Sequence, residues 1–371
     1  IVESEADFPA AVGGVITLEN NTDYFIANDI NTASRFIVGT RTTLRGPASQ
    51  IVSITYTGVG TMLTSTEPNF RVDRVTLACP NGTVFNMSSV SGGGIFQIIE
   101  SNISECDTLG TIGDMFIVRF KALACQDIKT NGITFTGNVS IFFSDTFVSF
   151  MNGVGAVLYD LGSGTFDSLT ISNQFDQASV ASTFLSGVAS SGNINTGGLG
   201  VVSNCRKQGI TTALSGITPD DALWNFTLND AIPDTRPDAL ISFLTPTTTV
   251  LAAATPALIT GTWTLERSSQ MATTAAGRVT YLGEKDSILP ITVTVAAEPV
   301  SGTNKDVNFY LAKNGVVISN SKISSTISSG SPKNQSIIWQ DSISSNDYYE
   351  VFIESVDGTD VQVNSAKLRI N

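Results

Sequence analysis

The sequence predicts an all-β chain in two parts, a right-handed parallel β-helix followed by an antiparallel β-sandwich. Three observations lead there. Helical periodicity is nearly absent, and short alternating runs rich in Val, Ile, Thr and Phe are broken by Gly, Asn, Ser and Asp. A strand-like ten-mer recurs, FRVDRVTLAC at 70–79 and FIVRFKALAC at 116–125. From about residue 245 the pattern changes to longer alternating strands.

Composition supports the class and removes several functions. At 371 residues the chain is long enough for two domains, each with its own core. Apolar residues are 42% and charged residues only 14%, so the polar surface must be built from Ser, Thr, Asn and Gly. Twenty basic against 33 acidic residues give −13, a charge that repels nucleic acid and anionic membrane surfaces. With no histidine, imidazole bases, imidazole metal ligands and His-based triads are excluded. Any chemistry must run on carboxylates, Lys, Tyr or thiols. No apolar run is long enough to span a membrane, so no membrane insertion is expected. The chain opens on Ile1 and shows no basic n-region of a secretory signal.

The repeat justifies the first part. Aligned on its first apolar residue, the motif starts at 70, 96, 116, 141 and 166, intervals of 26, 20, 25 and 25. A closing Cys or Phe follows nine residues later, ten in the second copy. Repeats of this length without helix are the signature of a solenoid, whose units bury their apolar faces only by stacking. Like residues then sit above one another at about 4.8 Å. Phe70, Phe96, Phe116 and Phe166 are expected to form one inward stack. Cys79, Cys106 and Cys125 form a second, continued by Phe150 and Phe175. The four cysteines, with no CxxC pair, read as buried free thiols, and neither metal nor cofactor is expected. The Gly-rich breaks at 91–94, 153–155 and 197–198 read as corners or loops.

The flanking elements follow. GGVITLENNTDYFI (13–26) reads as a hairpin-like pair, and residues 1–45 as the N-terminal cap that closes the open end of the solenoid. The β-helix is assigned to 46–215. Residues 216–245 read as a polar, proline-bearing connector whose Leu223, Trp224 and Phe226 pack on the solenoid's exit end. Residues 246–371 form the sandwich, with two-residue turns expected at Asn314-Gly315 and Asp357-Gly358.

A resemblance enters on these residues. DFPAAVGGVITLENNTDYFI and FIVGTRTTLRG resemble the start of small β-helical proteins of tailed-bacteriophage structural modules. DTRPDALISF, GTWTLERSSQ, AGRVTYLGEKDSILPITVTV, FYLAKNGVVISNS and SSNDYYEVFIES resemble the C-terminal jelly-roll of phage tail spike, fibre or appendage proteins. The likeness covers most of the chain and is one of pattern and phrase, without an invariant catalytic motif. It implies a knob like the tumour-necrosis-factor or C1q sandwich, a homotrimer, and attachment of a virion to a host surface glycan or protein. It also implies a link to other virion proteins through an N-terminal part outside this sequence, and assembly in the host cytoplasm.

Two kinds of site are then weighed. A glycan-cleaving spike needs two carboxylates on a solenoid face. Glu105 and Asp107 stand two apart at a strand end, with Asp73, Glu100, Asp145 and Asp167 as neighbours on adjacent coils; ordinary solvated turn carboxylates explain all of them equally. Sugar binding calls for exposed aromatic rings. Trp263, Trp339, Tyr348 and Tyr349 lie in the sandwich, where core or interface anchoring is the simpler role. Asp357 and Asp360 offer a cation site that a plain turn explains better. The sequons at Asn81, Asn86, Asn102, Asn138 and Asn225 carry no glycosylation meaning in a bacterial host. The favoured reading is a non-catalytic appendage; the alternative is a polysaccharide depolymerase, a glycoside hydrolase or lyase.

Overall fold

The structure, a computed structural model, describes residues 1–47, 52–188, 192–217, 223–232, 235–283 and 285–371. It divides into two units, Ile1–Asp234 and Thr235–Asn371. The first is a parallel β-solenoid and the second an antiparallel two-sheet sandwich.

Each solenoid coil contributes up to three short strands, which stack into three faces. The first face begins with Val15–Thr17, Arg35–Ile37 and Gly60–Ser65, and later includes Ala156–Asp160, Ser182–Ser186 and Thr212–Ser215. The second runs through Asp23–Phe25, Thr40–Arg45, Asn69–Asp73 and Gly94–Ile99, and ends at Ile194–Ser203 against Trp224–Thr227. The third holds Ile30–Thr32, Val52–Tyr56, Phe175–Ala178 and Arg206–Gln208. Asn102–Met151 is extended throughout, and fully stretched it would span roughly 165 Å at about 3.3 Å per residue. It instead wraps through corners at Asp114, Ala122, Asp127, Gly137 and Thr146, all with positive φ.

The corner between the second and third faces is made by a single left-handed residue. It falls on Arg74, Glu100, Ala122, Thr146, Asn173 and Asn204 in turn, with φ between 49° and 57°. Its N–H keeps a partner one coil on: Arg74 donates to the Ile99 carbonyl (3.1 Å), Glu100 to Lys121 (2.9 Å) and Asn173 to Ser203 (3.1 Å). The chain thus turns without leaving the ladder. Side chains do the same at the surface, where Asn152 Nδ2 donates to Asp127 (2.6 Å) and Asn173 Nδ2 to Asp145 (2.7 Å).

Inside the solenoid an aromatic column carries the core. Phe70 stacks on Phe96 (6.2 Å), which meets Phe120 edge-on (5.9 Å); Phe120 meets Phe142, and Phe142 meets Phe166 at 6.4 Å. The four cysteines are free and buried, and Cys79 and Cys106 stand directly in register. Burial pushes the Cys79 thiol up to about 11 and Cys205 to about 12, so both are inert apolar fillers at neutral pH.

The structure corrects several expectations. Phe116 is 46% exposed, so the stack runs through Phe120 instead. Gly94 pairs Met115 and Ile95 pairs Ile117, which makes Phe116 the extra residue of a bulge, turned outward. Phe150 and Phe175 also leave the inner column. The inward pairs there are Ser149 with Asp176 and Met151 with Ala178, and a one-residue slip reverses every side chain. Val15–Thr17 and Asp23–Phe25 do not form a hairpin; each pairs in parallel with the following coil, so coils already occupy residues 1–45. Gly197 and Gly198 lie within a strand, at a bulge between Phe166 and Ser168 of the neighbouring coil. Trp224 and Phe226 are fully buried on the last coil. Residues 218–222 of the connector lie outside the described residues.

The sandwich has one sheet of Thr264–Ser269, Asp238–Phe243, Val361–Ile370, Ser287–Pro299 and Lys333–Ile343 in that order. The other is built on Met271–Thr273, Val279–Tyr281, Tyr348–Ser355, Lys305–Lys313 and Val316–Val317. Asn314 and Gly315 (φ 54° and 76°) make the expected two-residue hairpin. Asp357-Gly358 does not: it carries the chain from Tyr348–Ser355 in one sheet to Val361–Ile370 in the other.

The polar groups buried in the solenoid include a carboxyl that no cation meets among the described residues. Asp176 is fully buried, with Oδ1 accepting from Ser149 Oγ (2.7 Å) and Oδ2 without a hydrogen-bond partner. Burial pushes its carboxyl up to about 7.

Two predictions follow from these positions. Phe120→Ala should cost about 3–5 kcal/mol and Phe116→Ala less than about 1, measured by chemical denaturation; equal losses would contradict the outward bulge. Asp176 binds its proton more tightly folded than unfolded, so its effect on stability is complete below about pH 4, is lost as pH rises to about 7, and is flat above. Asp176→Asn should therefore show a smaller fall in unfolding midpoint between pH 4 and 8 than the parent, and greater stability at pH 8.

Candidate functional site

The anticipated carboxylate pair sits at an irregular place. Register shifts flank Glu105 and Asp107: Cys106 pairs Cys79 while Thr108 pairs Thr83, which leaves Asp107 without a rung partner. Glu105 Oε1 accepts from Lys129 Nζ (2.5 Å), and the same ammonium donates to the Pro80 carbonyl (2.9 Å). The hydrogen bond to Glu105 is the main reason the Lys129 ammonium is held above its ordinary value. Glu105 is thus half of an ion pair that ties neighbouring coils.

The other acids are similarly engaged. Asp73 is buried among arginines, and Asp145 accepts from Asn173 and Ser172, the first of which is the main cause of its lowered carboxyl. Asp167 takes a bond from Asn195 (2.7 Å). Glu100 occupies a left-handed corner. Asp357 accepts from Ser355, from the Thr359 N–H and from Lys305, whose bond holds its carboxyl well below the usual range. Asp360 receives the Leu251 N–H. Among the described residues no cluster of acids or thiols has the arrangement of a metal site.

The sandwich aromatics divide. Tyr349 is fully buried and its hydroxyl donates to Asp341 (2.9 Å). Tyr348 is half-exposed with the Arg278 guanidinium 3.9 Å above its ring, so that face is already covered. Trp339 is half-buried against the core, and Trp263 is packed on Phe243 at 4.9 Å.

A groove that the sequence did not single out is the better site. It lies on the first three coils, where the first face turns toward the second, and encloses about 430 Å³, adjoined by a cleft of about 230 Å³. Hydroxyl and amide groups line it, Thr17, Asn20, Thr40, Thr64, Ser65 and Thr66, extended by Asn86 and Ser88, together with apolar Leu18, Ile37 and Val38. Ile37, 41% exposed, is the apolar spot common to both parts. Asn20 Oδ1 accepts the Thr40 N–H (2.7 Å), fixing the corner beside Gly39, where a Cβ would come within 2.7 Å of that same oxygen.

Two carboxylates border the groove, Glu19 and Glu67. Glu67 is spent: Oε2 accepts from Ser91 Oγ (2.8 Å) and Ser89 Oγ (3.1 Å), and Oε1 from the Ser91 N–H (2.9 Å). These bonds, the Ser91 hydroxyl above all, pull its carboxyl below the usual range, the opposite of what a proton donor needs. The only sequence sign of the groove is the hydroxyl run LTSTE at 63–67 beside the outward Ile37.

No protein-family model and no curated protein matches the sequence. Solved structures match it at low similarity. PRD1 vertex protein P5 is 13% identical with a TM-score of 0.27, over 36% of this chain and 97% of that one. Eiger TNF from S. frugiperda is 12% identical with a TM-score of 0.25, over 37% and 93%. Tailspike protein 2 of an Escherichia coli bacteriophage is 10% identical with a TM-score of 0.23, over 94% of this chain and 64% of that one. Scores this low carry no functional weight.

Removing the Tyr349 hydroxyl tests its assignment to the core. Tyr349→Phe should cost about 1–2 kcal/mol of stability in chemical denaturation, since it removes the donor to the Asp341 carboxylate; unchanged stability would contradict a core role for the hydroxyl.

Proposed function

We propose that the protein is a non-catalytic appendage of a bacteriophage virion that binds a host surface glycan, working as a homotrimer. The observation that carries this reading is the groove on the first coils: hydroxyl and amide groups set beside apolar Leu18, Ile37 and Val38 suit a sugar, whose hydroxyls need paired donors and acceptors and whose ring face needs an apolar contact. The sequence resemblance to tail spike and fibre proteins supports the virion setting. Exposed Ile288 and Ile338 on neighbouring strands of the sandwich support association through that unit.

Depolymerase activity is disfavoured because Glu105 is paired with Lys129 and Glu67 is held by two serines. The test incubates the purified protein with intact bacterial surface polysaccharides, reading binding and fragment size. Binding with chain length intact, abolished by Ile37→Arg in the groove, is expected. Shortened chains that disappear in Glu105→Gln, Asp107→Asn or Glu19→Gln would make this a depolymerase. Neither binding nor cleavage would leave a purely structural virion part.

A further inference from the structure

We infer a second site on the solenoid, an arginine shelf on its second face that takes the carboxylate of an acidic sugar. It deepens the glycan reading by naming the ligand's charge. On a chain with net charge −13, the first 200 residues hold eight basic side chains, and five of them gather here: Arg45, Arg71, Arg74, Arg119 and Lys121.

The register explains the gathering. Thr43, Arg71, Gln97 and Arg119 form one outward column, and Arg45, Asp73, Ile99 and Lys121 the next. Asp73, almost fully buried, is the anchor: Arg71 Nη2 lies 3.1 Å from Oδ2, Arg45 Nε 3.4 Å from the same oxygen, and Arg74 Nε 3.4 Å from Oδ1. One carboxylate thus holds three guanidiniums, a local surplus of two positive charges. Each of the three side chains is still a third or more exposed, so donors remain on the solvent side.

Two coils along, Arg119 lies over the Phe143 ring at 5.6 Å. Among the described residues neither Arg119 nor Lys121 is in an ion pair, although Asp145 lies close enough to feel the Lys121 charge. Arg71 and Arg119 are two rungs apart, roughly 10 Å at the strand spacing. Gln97 lies between them and Ile99 beside it in the next column, both half-exposed. That interval accommodates one pyranose, its carboxylate on a guanidinium fork, its hydroxyls near Gln97 and its apolar face on Ile99.

The probe is a galacturonic acid trimer, with its methyl ester as the neutral control and dextran sulfate as the control for plain charge, measured by calorimetry on the full chain. The trimer should bind and the ester should not bind at the shelf. Arg119→Gln should weaken the trimer about tenfold, and Arg71→Lys should weaken it although charge is kept, because the planar fork is lost. Exposed Lys121→Gln is a second variant that leaves the Asp73 cluster intact. Absence of trimer binding, binding indifferent to all three variants, or dextran sulfate binding as tightly with Arg71→Lys unaffected would each overturn the shelf. Neutral glycan still bound through the groove would show that the first reading survives that failure; loss of neutral glycan binding with the shelf intact would show the reverse.

Discussion

The single left-handed residue that turns each coil from its second to its third face is the constraint on which the solenoid rests. A non-glycine residue in that conformation costs roughly 1–2 kcal/mol. It recurs at Arg74, Glu100, Ala122, Thr146, Asn173 and Asn204. Even a β-branched Thr146 accepts it, because the alternative is a loop that breaks the ladder. In the visible cases the corner N–H reaches the next coil's carbonyl, so the strain is offset by an unbroken hydrogen-bond row. Everything else inherits its spacing: the aromatic column inside and the alternation of outward residues from which the groove and the shelf are built.

That spacing also explains why few charges suffice. Stacked parallel coils place like positions about one strand spacing apart, where repeated charge would repel. The outer corners instead carry Asn, Ser and Asp in chains such as Asp127–Asn152–Ser179 and Asp145–Asn173–Asn204, each side chain satisfying the next. The arginine columns are the exception, and they are possible because Asp73 sits buried beneath three of them. Asp176, a buried carboxyl that no cation meets among the described residues, instead has its proton affinity raised by burial.

The fold class was legible because both periods are written plainly, the coil repeat near 25 and the strand alternation of two. Its phase was not. Aligning FIVRFKALAC on its first Phe places Phe116 inside, but the bulge opposite Gly94 hands the inward slot to Phe120. A bulge leaves no mark in composition, and a one-residue slip changes which face every following residue occupies. Phe150 and Phe175 were likewise misplaced by one residue, the inward slots falling to Ser149, Met151, Asp176 and Ala178. The Asp357-Gly358 turn failed differently: a turn dipeptide specifies a reversal of the chain, not which sheet the chain returns to.

The candidate site was less legible than the fold, and the physical reason lies in what binding needs. Catalysis concentrates rare residue types, which a sequence displays; Glu105 and Asp107 drew attention on that ground, and the structure spends Glu105 on Lys129. Binding a hydroxylated ligand needs only common polar groups at the right separation. Thr17, Thr40 and Ser65 are about 25 residues apart and look like any other surface hydroxyls. Only stacking sets them side by side around Ile37. The same stacking assembles Arg45, Arg71, Arg74 and Arg119 from three separate strands into one surface. In a solenoid, function is therefore a property of columns across coils, and a residue's role depends more on its register than on its neighbours in sequence.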